Sequence, residues 1–435
     1  MKTAARIQAA IDVLAEIGGT DRPAEQQASG YFRKRRYIGS KDRKAIAALV
    51  FGVLRHRARL GWWLDRLGGG APSSRIDVFA FLLLSGGETA ESLAGLCGSE
   101  PYGPEPLEDS EKALLDRLSG QPLTTAEQPA SVRLEVPDWL MPSFARAFGE
   151  EDASDLAALQ EEAPLDLRCN ALKAERDQAM VALAAEGIES VPTPLSPLGL
   201  RVVGRRAVQT GRAFTEGLVE IQDEGSQIAA LLCEVCPGMA VADVCAGGGG
   251  KALALAAAMA GRGRLLASDR DQGRLDRAAA RFRRAGADFI ERRTIGDLAR
   301  ADDLAEGFDR VLVDAPCSGS GAWRRQPDAR WRLTRDRLAA FLDLQREILS
   351  KAAALVRPGG RLIYVTCSLL PEENQDQVDA FLEGHSPFAL CPVPQVWPQV
   401  LDVPCPSDEP CLSLTPARHG TDGFFVAIFD RQEAA

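Results

Sequence analysis

No apolar run in this chain reaches the ~20 residues that a bilayer-spanning helix needs. Histidine occurs three times, and basic residues are outnumbered, 51 Lys and Arg against 61 Asp and Glu, for a net charge of −10. The first absence leaves no membrane span. The second leaves His56, His385 and His419 without triad-like pairing, so each is expected at the surface or in a loop. The third argues, at the scale of the whole chain, against a nucleic-acid partner, because phosphate neutralisation needs clustered cations. Regular cysteine spacing is also missing. Ten cysteines scattered through 435 residues form no disulfide framework, and they suit a reducing, cytoplasmic compartment where thiols stay free. Cys233 and Cys236 make a CxxC with no second pair at zinc spacing. Cys405 and Cys411 lie in a Pro-rich stretch with no histidine at ligand spacing, so no metal is expected. The N-terminus MKTAARIQAAIDVLAEIGG carries Asp12 and Glu16 through its apolar part, which marks an amphipathic helix and not a signal peptide.

What is present falls into three parts, too much for one ordinary core. Residues 1–125 read as a helical domain, with Ile7, Ile11, Leu14 and then Ile46, Leu49, Val50, Val53, Leu54 near helical spacing. Net charge hides distribution: RKRR (33–36), Lys41, Arg43, Lys44, Arg55, Arg57 and Arg59 are interleaved with Tyr31, Phe32, Tyr37 and Phe51. Such a patch is either a solvated helix face or an RNA surface. EPYGPEPLEDS (100–110) reads as a loop and QPLTTAEQP (121–129) as a linker. Residues 130–225 mix helices near 139–148 and 174–186 with short strands at 165–170, 200–203 and 218–222, a small α+β domain. From 226 to 435, strand and helix signals alternate: AVADV (240–244), RLLASD (264–269), FIERRT (289–294), RVLVDAP (310–316) and RLIYVTCS (361–368), separated by helical stretches. The alternation predicts an α/β domain with a parallel sheet and crossover helices on both faces. GFFVAIFD (423–430) is expected as a final antiparallel strand at the sheet edge.

Two cysteines stand just past predicted strands, Cys317 in DAPCSGSG (314–321) and Cys367 in VTCS (365–368). In an open parallel sheet that carboxyl-end rim is where ligands bind. If the two strands are neighbours, about 4.8 Å apart, both thiols face one substrate atom. A single cysteine is more often a small buried hydrophobe, but these keep company with DVCAGGGGKALALA (243–256), a glycine-rich turn opening a helix. Glycines bring backbone close to a ligand, and Asp269 lies about 20 residues on, where an acidic side chain binds ribose hydroxyls. A phosphate-cradling P-loop does not fit, since Cys245 occupies the position of its first glycine and Ala252 follows Lys251. NAD and S-adenosylmethionine remain. Hydride transfer has no general use for two rim thiols. Methylation at carbon 5 of a cytosine does, because that carbon is a poor nucleophile until a thiolate adds to carbon 6, and a base must then remove the carbon-5 proton.

LRCNALK (167–173), QDEGSQIAA (222–230), the Gly loop, SDRD (268–271), GD (296–297), DAPCSGSGAWRRQPDARW (314–331), LIYVTCSLLPEENQDQV (362–378) and HGTDGFFVA (419–427) together resemble the NOL1/NOP2/Sun family of RNA 5-methylcytosine methyltransferases. The resemblance is greatest to bacterial 16S ribosomal RNA members of the Sun/RsmB type and covers about residues 165–430. It implies a Rossmann-like S-adenosylmethionine-dependent methyltransferase sheet, preceded by a helical domain similar to the antiterminator NusB and by the small α+β domain. It implies Cys367 as nucleophile and Cys317 as the residue that assists release. It places S-adenosylmethionine against Cys245, Ala246, Gly247, Gly248, Gly249, Gly250 and Lys251. Asp269 would bind the ribose, Asp297 lie by the adenine and Asp314 near the methyl group and cytosine. The partner implied is ribosomal RNA, bound by a monomer with no membrane. One departure matters: the family's CAAPGGK stands here as CAGGGGK, and Gly247 and Gly248 in place of Ala and Pro predict a less preorganised loop. Methylation of transfer RNA or of a nitrogen, or a catalytically silent RNA-binding assembly factor, are the alternatives. A nitrogen target leaves both thiols unexplained.

Overall fold

The computed structural model describes residues 1–71, 73–149, 153–204, 206–294, 304 and 307–433. The chain divides into two compact units. One comprises Met1–Glu161 with Trp323–Thr334, the other Glu162–Ala322 with Arg335–Ala435. Among the described residues no helix is long and apolar enough to cross a membrane.

The first unit is helical. Its principal helices are Thr3–Gly18, Ala24–Lys34, Ser40–Arg55, Arg57–Arg66, Ser74–Ser85 and Asp109–Leu118, whose apolar stripes meet in a core of Ile7, Leu14, Ile46, Val50, Phe79 and Leu115. The stretch 121–129 does not lead out of this unit. The Trp63 indole donates to the Pro122 carbonyl at 3.0 Å, Gln128 is buried, and the unit continues to Glu161. Beyond it the buried Glu135 carboxylate accepts from the Ala58 and Arg59 amides at 2.7 and 3.2 Å and from Arg59 Nε at 2.9 Å. The segment 323–334 belongs here because its large side chains do: Trp323 is fully buried with its ring 5.7 Å from Phe144. The Arg330 guanidinium donates to the carbonyls of Glu135 and Leu159 at 2.9 and 3.2 Å.

The second unit carries two sheets. Strands β1 (Asp166–Cys169), β2 (Ser190–Pro192), β3 (Gly199–Val202) and β4 (Val219–Ile221) form an antiparallel sheet in the order β2-β3-β1-β4, with the helix Arg176–Ala185 supplying Ala179 and Leu183 to its core. The larger sheet comprises β5 (Ala240–Val244), β6 (Arg264–Asp269), β7 (Glu291–Thr294), β8 (Phe308–Asp314), β9 (Val356–Thr366), β10 (Phe388–Cys391), β11 (Leu412–Leu414) and β12 (Phe424–Arg431). Its order is β10-β12-β9-β8-β5-β6-β7, with β11 also on β12, and β5 to β9 run parallel. Alternation along the strands sends Val241, Leu265, Leu312 and Ile363 to one core and Ala242, Leu266, Val311 and Leu362 to the other. Helices cover both faces, as expected for a doubly wound α/β fold.

The edge position expected for the last strand needs correction. β12 is antiparallel to β9 but is not an edge strand, because β10 and β11 pair along its other side. Its residues Phe424–Phe429 are all buried accordingly, and an uninterrupted apolar run is the mark of a covered strand. His56 lies half-buried at the turn between the helices Ser40–Arg55 and Arg57–Arg66. It stacks on Phe81 at 5.5 Å, its Nδ1 lies 2.7 Å from the Gly52 carbonyl, and burial pushes its pKa down to about 4.

Candidate functional site

The chain builds β5, β6 and β7 outward in one direction and then returns to lay β8 and β9 on the other side of β5. The carboxyl ends of β5 and β8 therefore diverge, which is where open α/β sheets bind ligands. A cavity of about 600 Å³ lies there, lined among others by Gly247, Gly250, Asp269, Asp314, Cys317 and Cys367. Nearly all the site residues expected from sequence thus meet at one rim. Asp297 lies outside the described residues.

The loop after β5 turns sharply. Cys245, Gly247 and Gly249 have φ of +72°, +55° and +77°, a region that disfavours residues with a Cβ. At Gly249 there is no room either, since a Cβ would sit 2.3 Å from the Phe282 ring. Gly249 caps the helix Gly250–Ala258. The Asp269 carboxylate holds the loop and its own strand end together: it accepts from the Gly247 amide and from the Asp271 amide, each at 2.9 Å. Arg168, buried at the centre of β1, donates to the Gly250 carbonyl at 3.0 Å. Arg281 bridges Glu220 at 2.7 Å and the Gly248 carbonyl at 3.0 Å. The small sheet and the helix Gln272–Ala285 thus brace the cofactor loop.

This cavity suits a nucleoside-containing cofactor. Asp269 retains lone pairs for ribose hydroxyls, the helix start offers backbone N–H groups, and the buried Gln222 Oε1, on a side chain in the wall, has no protein partner. Opposite, Lys251 Nζ lies 2.7 Å from Asp314 Oδ2. Burial works against the Lys251 ammonium, but the charge and hydrogen bond of Asp314, with further negative groups nearby, leave its pKa raised.

The thiols come from neighbouring parallel strands in which Asp314 pairs with Val365. The Sγ atoms of Cys317 and Cys367 are 3.4 Å apart. Contact with Cys367, followed by burial, pushes the Cys317 thiol well up, so Cys317 is the partner that keeps its proton. Cys245, also in the wall, is raised by burial and then by the Asp314 charge. Beneath the pair runs a buried polar network that no single motif announces. Glu373 accepts from the Ser318 amide at 2.8 Å and hydroxyl at 2.5 Å and from Gln345 at 3.0 Å. Ser368 Oγ lies 3.3 Å from Ser318 Oγ and 3.0 Å from Ser320 Oγ. Each cysteine is thus followed by a serine locked to the other's loop. Gly321 and Gly423 abut so closely that a Cβ on either would strike the other's backbone, which accounts for the second glycine of HGTDGFFVA.

Cys233 is buried and Cys236 exposed, and no cluster of three or more His, Cys, Asp or Glu able to hold a metal occurs among the described residues.

Residues 230–430 match the family model described as 16S rRNA methyltransferase RsmB/F, and residues 136–209 match that of the ferredoxin-like domain of RsmF/B-like methyltransferases. A probable ribosomal RNA small subunit methyltransferase B from Synechocystis is 32% identical over 418 residues, covering 90% of this chain and 91% of that protein. The crystal structure of PH0851 superposes with a TM-score of 0.78 at 26% identity, covering 99% of this chain and all of the other. A methyltransferase homologue from Pyrococcus horikoshii covers 69% of this chain and 97% of its own, with a TM-score of 0.58 at 27% identity.

Proposed function

The chain belongs to the 16S rRNA methyltransferase RsmB/F family, and from that premise we propose that it methylates carbon 5 of a cytosine in 16S ribosomal RNA through a covalent adduct. S-adenosylmethionine is the cofactor, and when bound it supplies an electrophilic methyl group. The loop Cys245–Lys251 and Asp269 would hold it, with Asp297 and Asp314 as further contacts.

The observation that carries the reading is the thiol pair 3.4 Å apart in the wall of the cofactor cavity. Cys367 adds to carbon 6 as a thiolate, which makes carbon 5 electron-rich. Cys317, whose thiol resists ionisation, can give its hydrogen bond to the Cys367 sulfur and so marks Cys367 as the attacking group. Lys251 and Asp314 line the same cavity. After carbon 5 is methylated, a water held by Cys317 takes the carbon-5 proton and passes it to solvent, and Cys367 leaves as a thiolate as the double bond reforms. The cytosine must be unpaired or flipped, because a stacked base hides carbon 6. Within this scheme residues 1–125 and 130–225 serve RNA binding and 226–435 the chemistry.

Denaturing electrophoresis with S-adenosylmethionine and a 16S rRNA transcript tests this. Cys367→Ala is expected to abolish methyl transfer and any covalent complex, whereas Cys317→Ala should methylate, release slowly and accumulate an adduct that survives denaturation. Trapping by Cys367→Ala and not by Cys317→Ala would reverse the roles. Unimpaired activity in both variants would end the covalent reading.

A further inference from the structure

We propose that a groove in the N-terminal helical unit holds unpaired nucleotides of the RNA substrate, with Tyr37 and Tyr102 as base-stacking platforms. The proposal takes its substrate class from the reading above and adds a binding site remote in sequence from the catalytic residues.

The chain has four tyrosines. Tyr31 and Tyr364 are buried, whereas Tyr37 and Tyr102 are 76% and 88% exposed, more than any other large hydrophobic side chain among the described residues. Both exposed rings line one cavity of about 850 Å³, together with Tyr31 and Arg35, and the Arg35 guanidinium stacks 3.5 Å above the Tyr31 ring. Tyr102 is not exposed by looseness. Its φ of +66° is costly for a residue with a Cβ, and the turn that imposes it is fastened. The Gly98 amide donates to the Pro104 carbonyl at 2.8 Å, and a Cβ on Gly103 would lie only 3.0 Å from that of Ala4. Packing does not account for an aromatic ring that a left-handed residue holds in solvent.

The charges of the wall select the ligand. Its carboxylates are engaged: Asp12 accepts from Gln8 at 2.8 Å and from the Tyr31 hydroxyl at 3.2 Å, and Glu100 pairs with Lys2 at 3.0 Å. Arg33, Lys34 and Arg36, adjoining Tyr37, are exposed and no ion pair to them occurs among the described residues. Exposed aromatic faces beside uncommitted cations are what a single strand needs, stacking for its bases and countercharge for its phosphates. A duplex hides its base faces and gains only from the cations.

Fluorescence anisotropy of the full-length chain with a fluorescein-labelled single-stranded 12-nucleotide RNA, and with the same RNA as a duplex, tests the assignment across a salt series. Tyr37→Ala with Tyr102→Ala should weaken single-strand binding about tenfold or more, leave the salt slope unchanged and spare the duplex. Tyr→Phe at both positions should retain binding, since a phenyl ring stacks equally. Arg33→Gln, Lys34→Gln and Arg36→Gln together should lower the salt slope by about 0.7 per lost contact. Unchanged single-strand affinity in the Ala pair, equal losses for strand and duplex, or failure of the Phe pair to retain binding would overturn the proposal; the first would hand the groove to a protein partner. The assay reads binding alone, so it can fail while the adduct assay succeeds, and the reverse.

Discussion

Asp243 is wholly buried at the end of β5, and burial, followed by the nearby Asp314 charge, raises its pKa to about 8. The fold therefore retains a proton that the unfolded chain releases near pH 4. Stability attached to this group is complete below about pH 4 and is lost as pH rises toward and through 8. Asp243→Asn should flatten the decline of Tm between pH 5 and 8, measured by thermal unfolding at a series of pH values; an unaltered slope would remove Asp243 as its source. At this scale the sequence is legible where a residue sits in a run with its functional neighbours. Cys317 and Cys367 follow strands and Asp269 ends one, and so each declares a rim position. Glu373, which ties the two cysteine loops, does not, because its partner Ser318 is 55 residues away. The same holds for Arg168, 82 residues from the Gly250 carbonyl it supports. A buried hydrogen bond leaves no periodicity in a chain, only a polar residue where an apolar one is expected.

Among the elements, the glycine loop behaves differently at each position. Gly247 has a φ of +55°, which would strain an alanine there although its Cβ would meet only ordinary contact, and a Cβ on Gly248 would likewise make ordinary contact with Arg281. Gly249 lacks that room. Gly249→Ala combines a left-handed backbone with a Cβ driven into Phe282, and should cost about 1–3 kcal/mol while abolishing measurable S-adenosylmethionine binding in isothermal titration. Unimpaired binding would show that the loop need not hold this shape. Strands β5, β6, β8 and β9 were legible because each is a branched, apolar run closed by a motif. β2 was not: Ser190–Pro192 is short and partly exposed, and its pairing with β3 supplies what its sequence lacks. The sequence hides the inner place of β12, because β11 and β10 are short and embedded in Pro-rich surroundings that read as loop.

At the scale of the whole molecule, the alternation that predicts an α/β sheet after residue 226 also conceals an excursion. The block DAPCSGSGAWRRQPDARW reads as one motif, yet its first residues end β8 and line the cavity while Trp323–Thr334 belongs to the helical unit. Only burial shows this, through Trp323 against Phe144 and Arg330 against Glu135 and Leu159. A fragment of residues 162–435 would therefore strip these groups of their partners. Limited trypsin digestion followed by mass spectrometry should find cleavage after Arg330 and Arg332 in the fragment at concentrations that spare both sites in the full chain. Equal resistance would mean that 323–334 needs none of residues 1–161.

That excursion bears on how such a chain can change over descent. A recombination break between residues 161 and 162, where a boundary would be drawn from compactness, bequeaths to one offspring a helical body without its buried tryptophan and to the other an orphaned loop. Such a cut leaves Trp323 and Arg330 without the groups they pack against and bond to.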